Sequence, residues 1–346
     1  MRSPRFLIVR LSAIGDAIQT MPVACALRER FPQAFIAWAV EKRAAALLEG
    51  HPAIDELILL PRGWLKSPRG VWQLRRRLRD LQIDTTIDVQ SLSKSSILAW
   101  LSGARRRIGF GNPGGRELSK WFNNERVDPT AVHVVDRYLE LLRPLGVEAP
   151  AVRFDVPERK EDCEAAEKWI VELGVQGGFA VINPGAGWPS KLWPLDRYAA
   201  VGRHLKECWR LPTVVVWAGQ GEREMAEAIC RDSAGAACLA PATSLSQLAA
   251  LARRARLFIG SDTGPLHLAA AVGTPCVGLY GPWPAERHGP YGPQHIALQK
   301  MVFEGPTRGR RTAPAMYMES ITTEMVCEAC DTILQRESHG ASGGRP

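Results

Sequence analysis

A short polar turn with one glycine follows the first apolar run of the chain. Residues 5–11 predict a buried strand, and Ser12-Ala-Ile-Gly15-Asp16 leads from it into a segment of helical periodicity. Ligands of doubly wound sheets bind beyond the carboxyl ends of strands, so Asp16 could serve as a general base there. A carboxylate at such a place can also be a helix cap, which is the plainer interpretation of a single case, and the turn alone leaves both open.

A second turn of the same design occupies residues 257–267. An apolar strand at residues 257–259 enters Gly260-Ser-Asp262-Thr-Gly264, and the next helix begins with Pro265 at its first position. Backbone N–H groups at a helix N-terminus form a site for phosphate or another anion. Asp262 could bind sugar hydroxyls and Thr263 could donate a hydrogen bond, although an ordinary turn capped by Asp262 is the alternative.

Two further segments add groups suited to a nucleotide diphosphate. Residues 179–183 predict a strand that opens into a loop with Gly185, Gly187 and the cation Lys191. Glycine amides can approach a ligand closely, and Lys191 can neutralise a diphosphate. Glu222 follows another strand and could bind ribose hydroxyls, and Glu224 is the second candidate for this role. The plainer interpretation is that these are acidic residues of the kind favoured in a first helical turn.

Cationic residues concentrate in the first half of the chain, which carries the whole net charge of +8. Four of them lie at predicted strand ends, loops or helix starts and could converge near Asp16 to bind a phosphorylated or acidic acceptor: Lys94, Arg116, Lys120 and Arg137. The arginines at residues 75–79 favour a solvated helix face. Nucleic acid is disfavoured as the partner, because the cations are not interleaved with aromatics in an RNA-binding motif.

Strands and helices alternate along the whole chain, which predicts parallel sheets covered on both faces. We expect an α/β protein of two Rossmann-like domains facing a cleft. The predicted boundaries are an acceptor-binding domain at residues 1–156, a donor-binding domain at residues 157–336 and a disordered tail at residues 337–346. A dinucleotide-dependent dehydrogenase is disfavoured because no G-x-G-x-x-G is present.

Composition predicts a cytoplasmic protein that could touch a membrane surface. The eight cysteines are scattered, as in a reducing compartment, and Cys327 and Cys330 are expected as two thiols on a terminal helix rather than a zinc site. A strand begins almost at once, which leaves no room for a signal peptide. No apolar stretch approaches the roughly 20 residues of a membrane span.

Four motifs together resemble glycosyltransferase family 9, the ADP-heptose:lipopolysaccharide heptosyltransferases. They are Leu7-Ile-Val-Arg-Leu-Ser-Ala-Ile-Gly-Asp16, Asp88-Val-Gln-Ser-Leu-Ser-Lys94, Asn183-Pro-Gly-Ala with Lys191-Leu-Trp-Pro194, and Ser261-Asp-Thr-Gly-Pro-Leu-His267. The resemblance implies the GT-B fold and an inverting transfer without a metal ion or other cofactor. It departs at Gln90-Ser91, where many members have Gln-Gly, and at residues 183–187, which lack the hydroxyl side chains of some members.

The resemblance also implies a role for each candidate residue. Asp16 would be the general base and Lys191 would stabilise the leaving diphosphate, assisted by the amides of Thr263 and Gly264. Asp262 would bind the donor sugar, Glu222 the ribose, and His267 would support the phosphate turn. The amides of Gly185, Ala186 and Gly187 would stand in for the missing hydroxyls.

The function implied is transfer of heptose from ADP-heptose to an anionic lipopolysaccharide core acceptor, by an enzyme peripheral to the inner face of the inner membrane. Two alternatives stay open. One is a GT-B enzyme that uses another nucleotide sugar, as a different transferase or a 2-epimerase. The other is a non-catalytic protein that binds nucleotide or lipid.

Overall fold

The computed structural model describes residues 2–61, 63–112, 115, 116 and 118–342, with side chains up to residue 338. The chain divides into two compact units, Met1–Pro157 and Glu158–Pro346. Each unit is built on one six-stranded parallel sheet. The eight cysteines are all free thiols, and Cys327 and Cys330 lie on the last helix.

The sheet of unit 1 has the strand order β3-β2-β1-β4-β5-β6. Its strands are β1 (Arg5–Val9), β2 (Phe35–Glu41), β3 (Glu56–Leu60), β4 (Thr85–Asp88), β5 (Arg106–Phe110) and β6 (Glu125–Val127). The helices between them are α1 (Ile14–Arg30), α2 (Lys42–Ala45), α3 (Pro68–Asp80), α4 (Ser93–Leu101), α5 (Ser119–Phe122) and α6 (Val134–Glu140), with short 3-10 turns at Trp64–Lys66 and Arg143–Leu145.

The sheet of unit 2 has the order β12-β11-β10-β7-β8-β9, which repeats the topology of unit 1. Its strands are β7 (Ala180–Asn183), β8 (Thr213–Val215), β9 (Ala237–Leu239), β10 (Leu257–Ser261), β11 (Cys276–Leu279) and β12 (Ile296–Leu298). The helices are α7 (Lys160–Glu172), α8 (Leu195–Trp209), α9 (Gly219–Asp232), α10 (Leu245–Arg254), α11 (Gly264–Ala271), α12 (Ala285–His288), α13 (Met316–Glu319) and α14 (Thr323–Ser342), with 3-10 turns at Pro189–Lys191 and Gly309–Thr312.

The central strands are fully buried because apolar side chains cover both of their faces. Leu7, Ile8 and Val9 of β1 and Leu257, Phe258 and Ile259 of β10 have no exposed surface. Continuous apolar runs of this kind are typical of parallel strands covered by helices on both sides. The two cores therefore fix the carboxyl ends of β1 and β10, where the candidate residues follow.

The end of the chain differs from the prediction. Helix α14 continues to Ser342, so residues 337–342 are helical rather than part of a disordered tail, and residues 343–346 lie outside the described part. The helix is anchored by Val326, Cys330 and Leu334, which are buried in the core of unit 2. Once a helix has been nucleated by packing, each added residue gains a hydrogen bond, which accounts for its extension beyond the packed turns.

Candidate active site

Each sheet has one place where the strand order reverses direction. It lies between β1 and β4 in unit 1 and between β7 and β10 in unit 2. Connections leave these neighbouring strands toward opposite faces of the sheet, so a crevice opens beyond their carboxyl ends, and open α/β sheets bind ligands there. Asp16 follows β1, and Asp262 follows β10. The sheet topology thus places both predicted carboxylates at switch points.

In unit 1, Asp16 forms an ion pair with Arg10. The Arg10 Nη2 atom lies 2.5 Å from Asp16 Oδ2, and the same oxygen accepts a hydrogen bond from the backbone N–H of Ala13 at 3.0 Å. Asp16 is the third residue of α1, so it caps the helix as the plainer interpretation supposed. About a third of its side chain is still exposed (35%), and the carboxylate can therefore also meet a substrate.

Arg10 is held from several sides. Its Nη1 donates to the Val89 carbonyl at 3.4 Å, and its guanidinium lies 5.4 Å from the centre of the Tyr138 ring. Burial by itself lowers the pKa of Arg10, but the Asp16 carboxylate beside it outweighs burial and the pKa is raised. The guanidinium stays charged and fixes the position of Asp16.

The turn after β4 is built on a buried carboxyl group. The Asp88 carboxylate accepts hydrogen bonds from the Ser91 N–H at 2.8 Å and from Asn123 Nδ2 at 3.0 Å. These hydrogen bonds lower the pKa of Asp88, but the effect of burial is larger and raises the pKa to about 6. Ser91 has a left-handed φ of 47°, a conformation that favours glycine. Its hydroxyl offsets this strain by donating to the Asp88 carbonyl at 2.7 Å and accepting from the Phe110 N–H at 2.8 Å.

Gln90 joins the two strands of this switch point, because its Oε1 accepts from the Leu11 N–H at 2.9 Å. The Gln90-Ser91 pair therefore supports the end of β1, and the helix that follows this strand, α1, carries Asp16. At the position where the sequence departs from Gln-Gly, Ser91 adopts the left-handed conformation that favours glycine.

In unit 2, Lys191, Asp262 and His267 form one buried charged cluster. Lys191 Nζ lies 2.5 Å from Asp262 Oδ2 and 2.9 Å from the Asp262 carbonyl oxygen. His267 Nε2 lies 3.1 Å from the other carboxylate oxygen, Oδ1. The three side chains are 8–14% exposed. Asp262 therefore holds two partners at once and does not cap α11, whose N-cap residue is Thr263.

The electrostatics of this cluster keep Asp262 ionised. Burial raises the pKa of Asp262, but the hydrogen bond from His267 and the charge of Lys191 together outweigh it and lower the pKa well below its usual range. On its other side, the Lys191 ammonium lies 4.1 Å from the centre of the Trp283 ring. Lys191 is thus held between a carboxylate and an aromatic face.

The start of α11 supplies backbone donors beside this cluster. The helix begins at Gly264, so Pro265 is its second residue rather than its first. Asn183, at the end of β7, donates from Nδ2 to Gly185 O at 3.1 Å and reaches Thr263 Oγ1 at 3.4 Å. The ends of β7 and β10 are thereby tied together at the switch point of unit 2.

Gly185 and Glu222 are in close contact. A Cβ atom on Gly185 would lie 2.2 Å from the Glu222 carboxyl carbon, so only glycine leaves room for this side chain. Glu222 Oε2 accepts from the Ala218 N–H at 2.8 Å, and burial raises its pKa. Ala186 is half-buried, and Gly187 is exposed with open space where a Cβ would be. Glu222 thus contacts the loop at Gly185 and also accepts a backbone hydrogen bond at the start of α9.

The side chains of three of the four predicted acceptor cations have a local partner, and Arg116 has a backbone contact. Lys94 pairs with Glu41 at 2.5 Å, and Arg137 donates to the Ala131 carbonyl at 3.2 Å. Lys120 Nζ hydrogen-bonds to Asn112, and Arg116 is exposed with its backbone N–H bonded to Ser91 O at 3.1 Å. The contacts found do not join the four into one cluster, so their shared role stays a prediction.

Three residues that contact candidate site residues were not identified as such from the sequence: Arg10, Glu41 and Trp283. For Arg10 the sequence does contain a signal, because a charged residue at the end of a buried apolar strand needs a nearby partner of opposite charge. The partners of Glu41 and Trp283 come from distant positions, Lys94 and Lys191, and only the fold brings them together.

The described residues offer neither a preformed metal site nor a membrane-spanning helix. Within them, no group of three or more His, Cys, Asp or Glu side chains is arranged to hold a metal ion. None of the helices in that part of the chain combines the length and the apolar character needed to cross a bilayer.

Comparison with known proteins connects this geometry to a family. The model of glycosyltransferase family 9 (heptosyltransferase) matches residues 71–317. The lipopolysaccharide core heptosyltransferase OpsX of Haemophilus influenzae is 29% identical over 290 residues, which are 82% of this chain and 81% of the relative. Lipopolysaccharide heptosyltransferase 1 of Pseudomonas aeruginosa is 29% identical over 306 residues, 85% of this chain and 83% of the relative.

Solved structures agree on the fold. A family 9 glycosyltransferase of Veillonella parvula superposes with a TM-score of 0.84 at 25% identity, covering 97% of this chain and 98% of the other. The E. coli heptosyltransferase WaaC with ADP gives 0.75 at 23% identity, covering 95% and 99%. The prediction of two Rossmann-like domains in the GT-B class and the resemblance read from four motifs are both confirmed. The chain is a glycosyltransferase and belongs to glycosyltransferase family 9.

Proposed function

We propose that this enzyme transfers heptose from ADP-heptose to a phosphorylated or acidic acceptor of the lipopolysaccharide core, with inversion and without a metal ion. The relatives at 29% identity are named lipopolysaccharide heptosyltransferases, which supports both the sugar and the acceptor class. Solved relatives of the same fold contain ADP or ADP-2-deoxy-2-fluoro heptose, which supports the donor. The reaction is assigned to the cytoplasm.

The observation that carries this proposal is the different chemistry of the two switch points. Unit 1 presents an ionisable oxygen, Asp16, held by a buried arginine. Unit 2 presents a lysine and the first backbone amides of α11. A base and an anion site are the two requirements for displacing a nucleoside diphosphate from a sugar.

The transfer is a single displacement. An acceptor hydroxyl oxygen attacks the anomeric carbon of the heptose, its proton passes to the Asp16 carboxylate, and the bond from that carbon to the diphosphate oxygen breaks. ADP leaves with the electron pair. Because one in-line displacement forms no covalent intermediate, one carboxylate is enough and the anomeric configuration inverts.

Unit 2 binds the donor in this scheme. Lys191 neutralises charge that grows on the leaving diphosphate, assisted by the N–H groups of Thr263 and Gly264. Asp262 accepts hydrogen bonds from sugar hydroxyls, and His267 fixes the orientation of its carboxylate. Glu222 binds the ribose, and the amides of Gly185, Ala186 and Gly187 face the phosphates in place of hydroxyl side chains.

Unit 1 binds the acceptor. The residues proposed for this role lie on α4, α5, α6 and the loop before α5: Lys94, Arg116, Lys120 and Arg137. Lys94 has to exchange its Glu41 partner for an acceptor phosphate or carboxylate, which it can do because both side chains are partly exposed. Cations in this half of the chain explain a preference for an anionic acceptor.

Donor identity is tested by thermal stabilisation with ADP, UDP, GDP, NAD and ADP-heptose at matched concentration. A ligand that binds only the folded state raises the melting temperature, so we expect shifts with ADP and ADP-heptose alone. Transfer is then followed by ADP release on a heptose-free core acceptor, with and without a chelator, and the product anomer is read by NMR. A shift with UDP instead, turnover of the donor without acceptor, or retention of configuration would contradict the proposal.

A further inference from the structure

A thiol, an imidazole and a carboxylate lie in contact at the C-terminal end of α8. Cys208 Sγ lies 3.7 Å from Nδ1 of His204, one helical turn earlier, and His204 Nε2 lies 2.8 Å from Asp331 Oδ1 on α14. Trp209 Nε1 donates to the same carboxylate oxygen at 2.6 Å. Four residues on two helices therefore form one hydrogen-bonded chain that ends on a thiol.

The Asp331 carboxylate decides which ring nitrogen of His204 carries the proton. A carboxylate only accepts hydrogen bonds, so the proton of the neutral ring lies on Nε2, facing Asp331. Nδ1 then presents its lone pair to the Cys208 thiol. His204 can take the thiol proton, and the adjacent carboxylate stabilises the imidazolium that results. A nucleophile beside a base that a third group orients is the arrangement found in activated thiols.

Cys208 differs from the other thiols of the chain. It is the one exposed thiol among the eight cysteines, all of which lie in the described residues. For the other seven, desolvation is the largest cause of a raised thiol pKa. Cys25 also lies near an imidazole, His51 at 4.0 Å, but burial raises the pKa of Cys25 to about 12. The thiolate is the reactive form, so reactivity is concentrated at Cys208.

We propose that Cys208 is a site of thiol–disulfide exchange whose partner is a small disulfide. The Cys208 sulfur attacks one sulfur of the disulfide while its proton passes to His204 Nδ1. The S–S bond breaks, and the other half leaves with the electron pair and takes up a proton as a free thiol. The product is a mixed disulfide on Cys208, and the disulfide itself is the oxidant.

This inference goes beyond the proposed function, because the site lies at the far end of α8 from the candidate donor residues. Helix α8 begins at Leu195, four residues after Lys191. Cys208 is thirteen residues further on, which corresponds to about 20 Å of helix. A mixed disulfide on Cys208 should therefore leave ADP binding unchanged, and ADP binding can serve as an independent check of folding.

The test is the rate at which the reduced full chain forms a mixed disulfide with the uncharged disulfide of 2-mercaptoethanol at neutral pH. Peptide mass spectrometry locates the modified residue, and we expect the first group on Cys208 and no such fast reaction in C208S. An unassisted thiol is only a few per cent thiolate at neutral pH, so H204Q should react about tenfold more slowly. C163S removes a half-buried thiol that donates to Glu158 at 3.1 Å and should react like wild type.

Asp331 acts through His204 and is a positioning residue. D331N places an amide donor against Nε2, which favours the wrong tautomer, and should slow the exchange about threefold or more. D331E keeps an acceptor-only group and should react within about twofold of wild type. At about pH 10 free thiols ionise unaided, so the rates of H204Q and wild type should converge, whereas a loss of access to Cys208 would persist.

Four outcomes would overturn the proposal. They are first modification at another cysteine, equal rates of H204Q and wild type at neutral pH, a difference between them that persists at about pH 10, and equal rates of D331N and D331E. The shift in melting temperature on adding ADP is measured for every variant and shows whether each one is folded. Because the exchange needs neither sugar donor nor acceptor, a failure here is distinguishable from a failure of the heptosyl transfer.

Discussion

The Asp262 carboxylate lies 2.5 Å from the Lys191 ammonium, although the two residues are 71 positions apart in the chain. The sequence presented them as separate contributors, one for the sugar and one for the diphosphate. Their contact means that the charge of Lys191 is partly neutralised before any donor arrives. A diphosphate therefore competes with Asp262 for the same ammonium group.

This competition predicts opposite effects of two substitutions on ADP affinity. Lys191→Met removes the cation and should raise the dissociation constant of ADP at least about tenfold. Asp262→Asn removes the competing charge, so ADP should bind at least as tightly as to wild type while ADP-heptose loses affinity relative to ADP. Titration calorimetry with both ligands measures each effect. Equal weakening of ADP binding by the two variants would show that the diphosphate does not compete with Asp262 for the Lys191 ammonium group.

Asp88 predicts a pH dependence of stability. Its folded-state pKa of about 6 lies above the unfolded value, so its contribution to the free energy of unfolding is fully present below about pH 4 and is lost as the pH rises through 6. A shift of roughly two units corresponds to about 3 kcal/mol. Asp88→Asn should remove this loss between pH 4 and 7 in denaturant titrations.

The control for that experiment is Asp80→Asn, an exposed acid at the end of α3. It should keep the wild-type decline of stability with pH. If Asp88→Asn declines as steeply as wild type, the carboxyl group of Asp88 is not the one that titrates.

The contact between Gly185 and Glu222 predicts a difference between two alanine substitutions in one loop. Gly185→Ala forces the Glu222 carboxyl group away and should weaken ADP binding about tenfold, because the candidate ribose ligand moves. Gly187→Ala keeps its backbone amide, has open space for the new methyl group and should bind ADP like wild type. Equal affinities of the two variants for ADP would contradict the role given to Glu222.

Much of the fold was predictable because its signals are local. Apolar runs predicted β1, β7 and β10 to within about two residues. Asp16 and Asp262 were found because each follows a strand and a glycine. A strand end and its turn lie within a few residues, so periodicity and turn chemistry are enough to locate them.

The pairings within the site were not predictable, because they depend on distances set by the whole sheet. Arg10 could be identified as part of a motif, but its ion pair with Asp16 depends on the path that the chain takes from β1 into α1. The ion pair between Asp262 and Lys191 arises from the neighbouring placement of β7 and β10, which are separated by two strands in the chain. A single sequence does not show which strands, distant along the chain, lie next to each other in the sheet.

The most direct test of the account is the turnover of Asp16→Asn. Asparagine keeps the size of the side chain but cannot take a proton, so kcat for ADP release should fall at least about 100-fold while the dissociation constant of ADP stays at the wild-type value. Asp196→Asn, which changes an acid in the first turn of α8, is the matched control and should leave kcat unchanged. A kcat of Asp16→Asn within about twofold of wild type would contradict the assignment of Asp16 as the general base.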